Sequence, residues 1–262
     1  MKSLLALAAT AAIIVAGCTS SSTNPPGDIV SFLAAKQGTY ILGTTEYYML
    51  NQSGGDSLVS SYNDSTVYSG QTTSTDTEGL SMSAANYISY ISGVPTDTTL
   101  YAENGSKLYS LFDLNFELPG ISPMMMGTRW VQIGDQTASS WTGLKDTVSG
   151  LDVNYKGIAL TVDAAFDLQG SKIGNETLTI DGASVKAMRF KTSYTIAFTI
   201  SSLLGSIPVS PLVIPIDYWV VEGVGVVKIV QKATPLTLGP PASQTIVIPG
   251  LTFKATKFVK AS

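Results

Sequence analysis

The sequence predicts an all-β protein with minor α content, built as one large curved antiparallel sheet or half-barrel with a short N-terminal helix. Three observations predict this class. Apolar and polar residues alternate with a period of two, turn dipeptides separate the alternating segments, and only 13% of the residues are charged. No segment of helical period is long enough to connect parallel strands, so neighbouring strands are expected to pair antiparallel.

The helix is predicted to run from Asp28 to Lys36. The Asp28 side chain can cap its first turn, and Ile29 and Phe32 then lie on one face. Gly38 follows at the position where a left-handed residue commonly ends a helix. This segment is expected to be the only clear helix of the chain.

The clearest strand is predicted over the segment from Ile158 to Leu168. Its even-numbered residues are apolar, whereas Thr161, Asp163 and Asp167 lie on the other face, as in a half-buried strand. The same reasoning predicts strands over residues 40–50, 58–67, 82–91, 100–102, 107–112, 129–133, 177–180, 185–191, 194–200, 217–221, 225–230 and 251–256.

Two dipeptides give the strongest hairpin signals. Asn104-Gly105 and Asp181-Gly182 both tolerate the positive φ angles that tight two-residue turns demand. A further turn is predicted at Ser53-Gly54-Gly55-Asp56. Adjacent strands are therefore expected to form meanders.

Two apolar loops interrupt the alternation. Residues 201–215 contain three prolines, and prolines at this spacing cannot sit in a central strand. The run 124–126 is three methionines, whose side chains adapt to irregular apolar surfaces. We expect both loops to fold over the end of the core; the alternatives are contact with a membrane or a ligand cavity. In a cavity, Leu204, Ile207 and Met125 would contact the ligand.

Trp219 is the fourth candidate ligand contact. The segment from Tyr218 to Val221 runs into Gly223-Val224-Gly225, where the glycines allow a sharp turn or bulge. We expect Trp219, or its neighbours Tyr218 and Val220, to lie in the core, because an aromatic strand must bury at least one face. The alternative is that Trp219 lines a groove.

The residue types that the chain lacks exclude several kinds of chemistry. It has no histidine, which excludes a Ser-His-Asp triad and every histidine-ligated zinc or haem site. Its single cysteine allows no intramolecular disulfide. With 15 Lys and Arg against 19 Asp and Glu, and no basic run, nucleic acid is not an expected partner.

Catalysis would then need carboxylates or a Ser-Lys pair. Asp163 and Asp167 lie about 13 Å apart along one strand at ~3.3 Å per residue, too far for a carboxylate dyad. Asp146, Asp152 and Asp181 lack the spacing of a calcium-binding loop. We expect all five to be surface residues, and we expect no metal and no cofactor.

The N-terminus carries an export signal. Lys2 precedes an uncharged apolar run over residues 4–15, which is too short to span a bilayer. The run ends in Val15-Ala16-Gly17-Cys18, which resembles the lipobox of bacterial lipoproteins. The alternative is an ordinary secretory signal with a chance cysteine.

The lipobox resemblance implies that the signal peptide, residues 1–17, is removed and that Cys18 is acylated, for example with palmitate. Residues 18–27 are rich in Ser, Thr, Asn, Pro and Gly and are expected to form a flexible tether. An antiparallel β domain then occupies residues 28–262. Thr19 follows the cysteine in place of the aspartate that resembles a retention signal, so the outer membrane is the expected location.

Landmarks in the β domain resemble a family. Lys107-Leu108-Tyr109, Gly127-Thr128-Arg129-Trp130, Ile180-Asp181-Gly182, Met188-Arg189-Phe190 and the segment from Tyr218 to Lys228 recur in this order. The order resembles a group of uncharacterised β-rich lipoproteins of Gram-negative bacteria. More remotely it resembles the lipoprotein-carrier (Lol) family, in which a half-barrel sheet wraps an apolar groove closed by short helices.

Together these features predict a lipid-anchored cell-envelope protein that is monomeric and non-enzymatic. It is expected to contact the membrane through the lipid on Cys18 and to bind an apolar ligand or an envelope protein. One alternative is a structural or adhesive module without a ligand cavity, and another is a carboxylate-based hydrolase.

Overall fold

The structure is a computed structural model of the 262-residue chain that describes residues 29–33, 36–114, 127–155, 158–202, 205–207, 209–239 and 244–259. The described residues contain no helix that could cross a membrane. Their regular structure is entirely β-strand, as β1 (Tyr40–Leu50), β2 (Asp56–Thr75), β3 (Ser81–Ile91), β4 (Val94–Asn104), β5 (Lys107–Asp113), β6 (Thr128–Asp135), β7 (Ser140–Tyr155), β8 (Ile158–Ile180), β9 (Ala183–Ser202), β10 (Gly205–Ile207), β11 (Leu212–Val221), β12 (Gly225–Gln231), β13 (Thr234–Leu238), β14 (Gln244–Ile248) and β15 (Gly250–Val259).

Thirteen of these strands form one large, nearly closed antiparallel sheet. Its order is β6-β5-β4-β3-β2-β1-β15-β12-β11-β9-β8-β7, and β10 pairs with β9 beside this path. Consecutive strands are neighbours at most positions, which confirms the predicted all-β class and the antiparallel meanders. β13 and β14 form a separate two-stranded sheet.

The predicted hairpin turns are confirmed. Asp181 and Gly182 have φ angles of 51° and 76°, and Gly105 has a φ angle of 59°. Positive φ at these positions matches the right-handed twist of the flanking strands. Gly223 and Gly225 also have positive φ, at 61° and 94°, and the register between β11 and β12 shifts just before them.

The core lies on the inner face of the curved sheet. Alternate residues of β8, β9 and β11 enter it, among them Leu168, Phe190 and Tyr218. Tyr218 and Val220 are 2% and 1% exposed, which confirms the expectation that the aromatic strand buries one face. Truncating a buried aromatic side chain at such a position costs about 3 to 5 kcal/mol.

The two edges of the sheet, β6 and β7, lie side by side. The Trp141 indole N–H donates to the Gln132 carbonyl oxygen at 3.0 Å. Arg129 forms an ion pair with Asp146 at 3.1 Å across the same gap. Side chains, and not a strand ladder, therefore join the edges in the described residues.

The chain enters the described fold across one end of the sheet, as an extended segment that we call the strap (residues 29–33). The Gln136 side chain accepts the Val30 backbone N–H at 2.9 Å and donates to the Val30 carbonyl. The Glu103 carboxylate accepts the Phe32 backbone N–H at 2.5 Å. The strap thus joins the β4–β5 turn to the β6–β7 connection. We call the end of the sheet that holds these two connections the strap end.

The helix predicted over residues 28–36 is wrong for the residues described there, since the strap and Lys36 are not helical. Tertiary hydrogen bonds replace the helical ones. The Glu103 carboxylate accepts a hydrogen bond from the Phe32 N–H, and the Ser31 carbonyl accepts one from the Gly223 N–H at 2.7 Å. Phe32 is 2% exposed, so its burial offsets the loss of a helix whose local propensity is modest.

The opposite end, which holds the β1–β2 and β3–β4 turns, we call the distal end. The β13–β14 hairpin packs there against β11 and β1 and buries Leu236, Ile246 and Ile248. This hairpin was not among the strands predicted from the sequence. It covers part of the distal end of the core.

The expectation of a loop over residues 201–215 is wrong in part. Gly205–Ile207 form β10, and β11 begins at Leu212 and includes Pro215. Pro215 pairs with Ser193 of β9, whereas the β12 ladder begins only at Ile216. Pro215 thus precedes the first β11 residue that pairs with β12, so on that side it interrupts no pairing of the described residues.

Candidate functional site

The inner face of β1 to β4 is polar towards the distal end. Thr45, Asp64, Thr66, Ser89 and Asp97 share this face, and we call them the polar tract. Asp97 lies opposite Ser89 in the β3–β4 ladder, and Ser89 lies opposite Thr66 in the β2–β3 ladder. The Thr66 and Ser89 hydroxyls are 3.4 Å apart, so the register places a continuous polar row inside an otherwise apolar fold.

Two carboxylates of the polar tract lack a counter-charge. Asp64 accepts the Thr45 hydroxyl on Oδ2 at 3.0 Å, but its buried Oδ1 has no hydrogen-bond partner. Asp97 accepts the Thr98 N–H on Oδ1 at 2.8 Å, and its buried Oδ2 has no partner. Neither carboxylate belongs to an ion pair formed within the described residues.

Burial makes both carboxylates weaker acids. Desolvation raises the pKa of Asp64 to about 6, against the lowering effects of the Thr45 hydroxyl and the Ser65 backbone N–H. Desolvation also raises the pKa of Asp97. Two charged oxygens held away from water without a partner are costly to the free protein.

Tyr101 marks the inner limit of the polar tract. Its side chain is 1% exposed, and its hydroxyl oxygen is buried without a hydrogen-bond partner. Its ring centroid lies 5.7 Å from that of Tyr87, which pairs with Thr99 in the β3–β4 ladder. Burial, then Tyr218 and Asp97, raise the pKa of Tyr101.

Two tyrosines form the outer limit of the tract. The rings of Tyr47 and Tyr62 meet edge to face with centroids 6.1 Å apart. Tyr62 is 42% exposed, whereas Tyr47 is half-buried, and burial followed by Asp64 raises the pKa of Tyr47. The site therefore grades from an accessible aromatic pair, through two carboxylates, to the buried Tyr101 hydroxyl.

Beyond the tyrosines, the tip of the β1–β2 hairpin exposes three large apolar side chains. Met49, Leu58 and Val59 form this group, which we call the apolar tip. Asn51 stabilises the turn, because its side-chain oxygen accepts the N–H groups of Ser53 and Gly55. An apolar group on a well-formed turn is typical of a surface that contacts another molecule.

Most residues predicted from the sequence as sites lie outside this tract. Cys18, Leu204 and Met125 fall outside the described residues. Ile207 belongs to β10, which pairs with β9. The predictions made for these four residues stay predictions.

Trp219 lies on the outer face of β11 and is 4% exposed. Its indole N–H donates to Glu176 Oε2 at 2.6 Å. The Arg189 guanidinium and the Lys228 ammonium, from the two strands that flank β11, lie 4.8 and 4.1 Å from the ring centroid. Groups of the same chain thus cover the ring.

One small cavity lies in the described part of the inner core. This cavity of about 20 Å³, lined by residues that include Phe112, Phe166 and Tyr194, lies between β5 and the β8–β9 pair. That volume holds about one water molecule and is far too small for an acyl chain.

Three of the five carboxylates singled out in the sequence have structural partners. Asp163 accepts the Gly150 N–H at 2.8 Å, and Asp167 accepts the Gln169 side-chain amide at 2.5 Å. Asp146 pairs with Arg129. Within the described part of the chain, no three acidic or cysteine side chains are grouped to hold a metal ion.

The polar tract was not predicted from the sequence. The segment around Asp64 reads Asn63-Asp64-Ser65-Thr66, which is polar on both faces, so the alternation does not reveal the inner one. Tyr62 and Tyr68 are separated from Asp64 by an even number of residues, as residues on one face of a strand are. This spacing is the one sequence signal that places Asp64 on the inner face.

No family model and no curated protein sequence matches the chain. Two solved structures match it at 11% sequence identity, each over 88% of this chain and 100% of the other. One is a candidate lipoprotein from Parabacteroides distasonis, with a TM-score of 0.42. The other is a candidate exported protein with a YmcC-like fold from Bacteroides fragilis, with a TM-score of 0.40.

Proposed function

We propose that this chain is a lipid-anchored, non-enzymatic protein of the cell envelope that presents its distal end to an envelope partner. The lipobox around Cys18 supports the anchor. The observation that supports the orientation is the strap, because it fixes the entry of the chain at the end of the sheet opposite the apolar tip.

The tether sets the distance from the membrane. Residues 18–27 can span at most about 35 Å when fully extended. Since the strap is hydrogen-bonded to Gln136 and Glu103, the tether begins at the strap end of the sheet, and its length sets the largest distance between that end and the membrane. The distal end then faces away from the bilayer to which the lipid is attached.

A partner fits the distal end better than an apolar ligand fits the core. The cavity described in the core, at about 20 Å³, is too small for an acyl chain, whereas Met49, Leu58 and Val59 are exposed. The chain has no histidine, and Asp163 and Asp167 are engaged in hydrogen bonds within the sheet. These observations favour binding over catalysis.

Membrane fractionation with intact-mass analysis tests the anchor. We expect the mature protein to begin at Cys18, to carry acyl chains and to sediment with outer membranes. A Cys18→Ser variant should become soluble after export. A mature N-terminus at any other residue, or a Cys18→Ser variant that stays attached, would contradict the proposal.

Photocrosslinking in intact cells tests the partner. A photoreactive residue replacing Leu58 should crosslink one defined envelope protein. The matched control is Ile173, an exposed apolar residue of β8 that follows Lys172, whose backbone N–H binds Ser139 at the strap end. Equal crosslinking from both positions would contradict a specific role of the distal end.

A further inference from the structure

The first part of β2 has a free edge. β2 pairs with β1 from Asp56 onward, but its ladder with β3 begins only at Asp64, which lies opposite Ile91. Among the described residues, the start of β2 therefore has a strand neighbour on one side alone. We call residues 57–63, which lie between the two aspartates, the open segment.

The backbone groups of the open segment alternate in direction, as in any antiparallel strand. The Tyr68 N–H donates to the Thr39 carbonyl at 2.8 Å, so Tyr68 directs its backbone groups towards the β1 side. The register with β1 has no shift over residues 60–67, so residues at odd positions there direct theirs to the opposite side. Ser61 and Asn63 thus present N–H and C=O groups to a side on which no described strand pairs with them.

The open segment has few of the features that normally keep an exposed sheet edge from pairing with another chain. Such features are lysines, prolines and bulges. The segment contains no charged residue, proline or glycine, and its one register shift falls at Val59, outside the regular stretch from Ser60 to Asn63. In contrast β7, at one edge of the sheet, includes Lys145 and has two register shifts. The start of β2 is therefore open to an added strand.

The surroundings of the open segment are acidic. No lysine or arginine occurs between residues 40 and 104, the part of the chain that forms β1 to β4. Asp56 and Asp64 flank the segment, and Glu46 lies opposite Ser61 in the β1–β2 ladder. Surfaces of one charge sign attract partners of the other sign, and like charges across paired strands are destabilising. A basic segment of another protein therefore fits this edge better than a second copy of the chain.

We propose that the envelope partner binds by adding an extended segment to the free edge of β2, and that this segment carries lysine or arginine beside apolar residues. This inference rests on the proposed role of the distal end in binding. The added strand occupies the position that β3 leaves beyond Ile91, and it pairs with the backbone groups of Ser61 and Asn63. Its apolar side chains contact the exposed Leu58 and Tyr62. In strand addition, main-chain hydrogen bonds provide affinity and alternate side chains provide specificity.

Photocrosslinking from Leu58 in intact cells, repeated in variants of Ser61, tests the added strand. Ser61→Pro removes the N–H on the free side but no ladder bond to β1, and its ring blocks the approach of a strand. We expect the crosslink yield to fall about tenfold or more. Ser61→Ala keeps the N–H and should crosslink like the wild type. Heat-unfolding midpoints of the purified variants show whether they are folded, and Asn63→Pro makes the same test if Ser61→Pro is not.

Two further measurements test the register and the charge of the partner segment. Photoreactive residues at Ser61 and at Asn63 should crosslink partner residues about two positions apart, since that spacing separates neighbours on one face of a strand. Mass spectrometry of the crosslinked peptides gives these positions and shows whether lysine or arginine is present. With the photoreactive residue at Leu58, Asn63→Lys should lower the crosslink yield severalfold relative to Asn63→Glu.

The proposal is overturned by equal yields from Ser61→Pro and Ser61→Ala, by crosslinks from the two positions that map to scattered partner residues, or by a partner segment without lysine or arginine. Sedimentation of the full-length protein in detergent as a dimer that Ser61→Pro dissociates would also overturn it, because the edge would then belong to a second copy. Failure of the proposed function is a different result, in which Leu58 and Ile173 crosslink equally.

Discussion

The Trp219 indole N–H and Glu176 Oε2 are 2.6 Å apart, and their hydrogen bond joins β11 to β8 across the intervening β9. Arg189 of β9 completes the link through an ion pair with Glu176 at 2.8 Å. The Trp219 hydrogen bond and then the Arg189 hydrogen bond lower the pKa of Glu176. Three neighbouring strands are thus connected on the outer face by side chains as well as by their ladders.

Replacing Trp219 by alanine is expected to destabilise the fold by about 3 to 5 kcal/mol, because a buried aromatic ring is lost and a cavity is left. Trp219→Phe should cost less, since it keeps much of the ring and loses the indole N–H bond. The unfolding free energy from urea titration measures both effects. Val213→Ala, at an exposed position of β11, should stay within about 0.5 kcal/mol of the wild type.

A Trp219→Ala protein with wild-type stability would contradict this structural role. If that protein also lost a bound molecule, Trp219 would belong to a binding site, as the alternative sequence interpretation holds.

Asp64→Asn is expected to stabilise the protein above about pH 6 and to have little effect near pH 4. The pKa of Asp64 in the folded protein, about 6, lies above its ordinary value of 3.8. The folded state therefore binds the proton more tightly, and the contribution of Asp64 to stability falls as the pH rises from 3.8 through 6. The Asp64→Asn variant has no carboxylate to ionise at this position, so its stability does not fall in this way.

Heat-unfolding midpoints of the wild type and Asp64→Asn across this pH range measure the effect. Asp152→Asn serves as the surface control. A constant difference in midpoint between the wild type and Asp64→Asn at every pH would contradict the prediction.

Glu103→Ala is expected to release the strap, because the Phe32 N–H and the Ser31 hydroxyl lose their acceptor. Leaving a buried donor unpaired costs about 1 to 3 kcal/mol. Local opening should expose the peptide bond after Lys36 to trypsin. Limited proteolysis of membrane fractions should then release a domain that begins at Gln37 faster than from the wild type.

Gly170→Ala tests the joint between the sheet edges. A Cβ at this position would collide with the Trp141 ring, which occupies the space above the glycine. We expect a loss of about 1 to 3 kcal/mol from overpacking. The double variant Gly170→Ala with Trp141→Leu should recover part of the loss, and a double variant less stable than the sum of the single ones would contradict this explanation.

The sequence was sufficient to predict the strands whose alternation is regular. β7 was missed because register shifts after Thr142 and Val148, next to Gly143 and Gly150, break its period of two. The strap was predicted as a helix because its partners Glu103 and Gln136 lie far away in the sequence. A local sequence pattern contains no information about such tertiary hydrogen bonds.

The candidate site was less predictable than the fold. Its carboxylates come from β2 and β4, and only the register of β2, β3 and β4 brings Asp64 and Asp97 to one face. Pro215 shows the same limit, because whether a proline fits a strand depends on the length of the neighbouring strand.

The pairing of β1 with β15 determines when the protein can fold. Tyr40 lies opposite Val259, and the Thr256 hydroxyl donates to the Leu42 carbonyl, a contact between residues 214 positions apart. Closing so long a loop carries a large entropic cost, and folds with many distant contacts form slowly. The first strand must therefore stay unpaired on this side until the last strand has been synthesised.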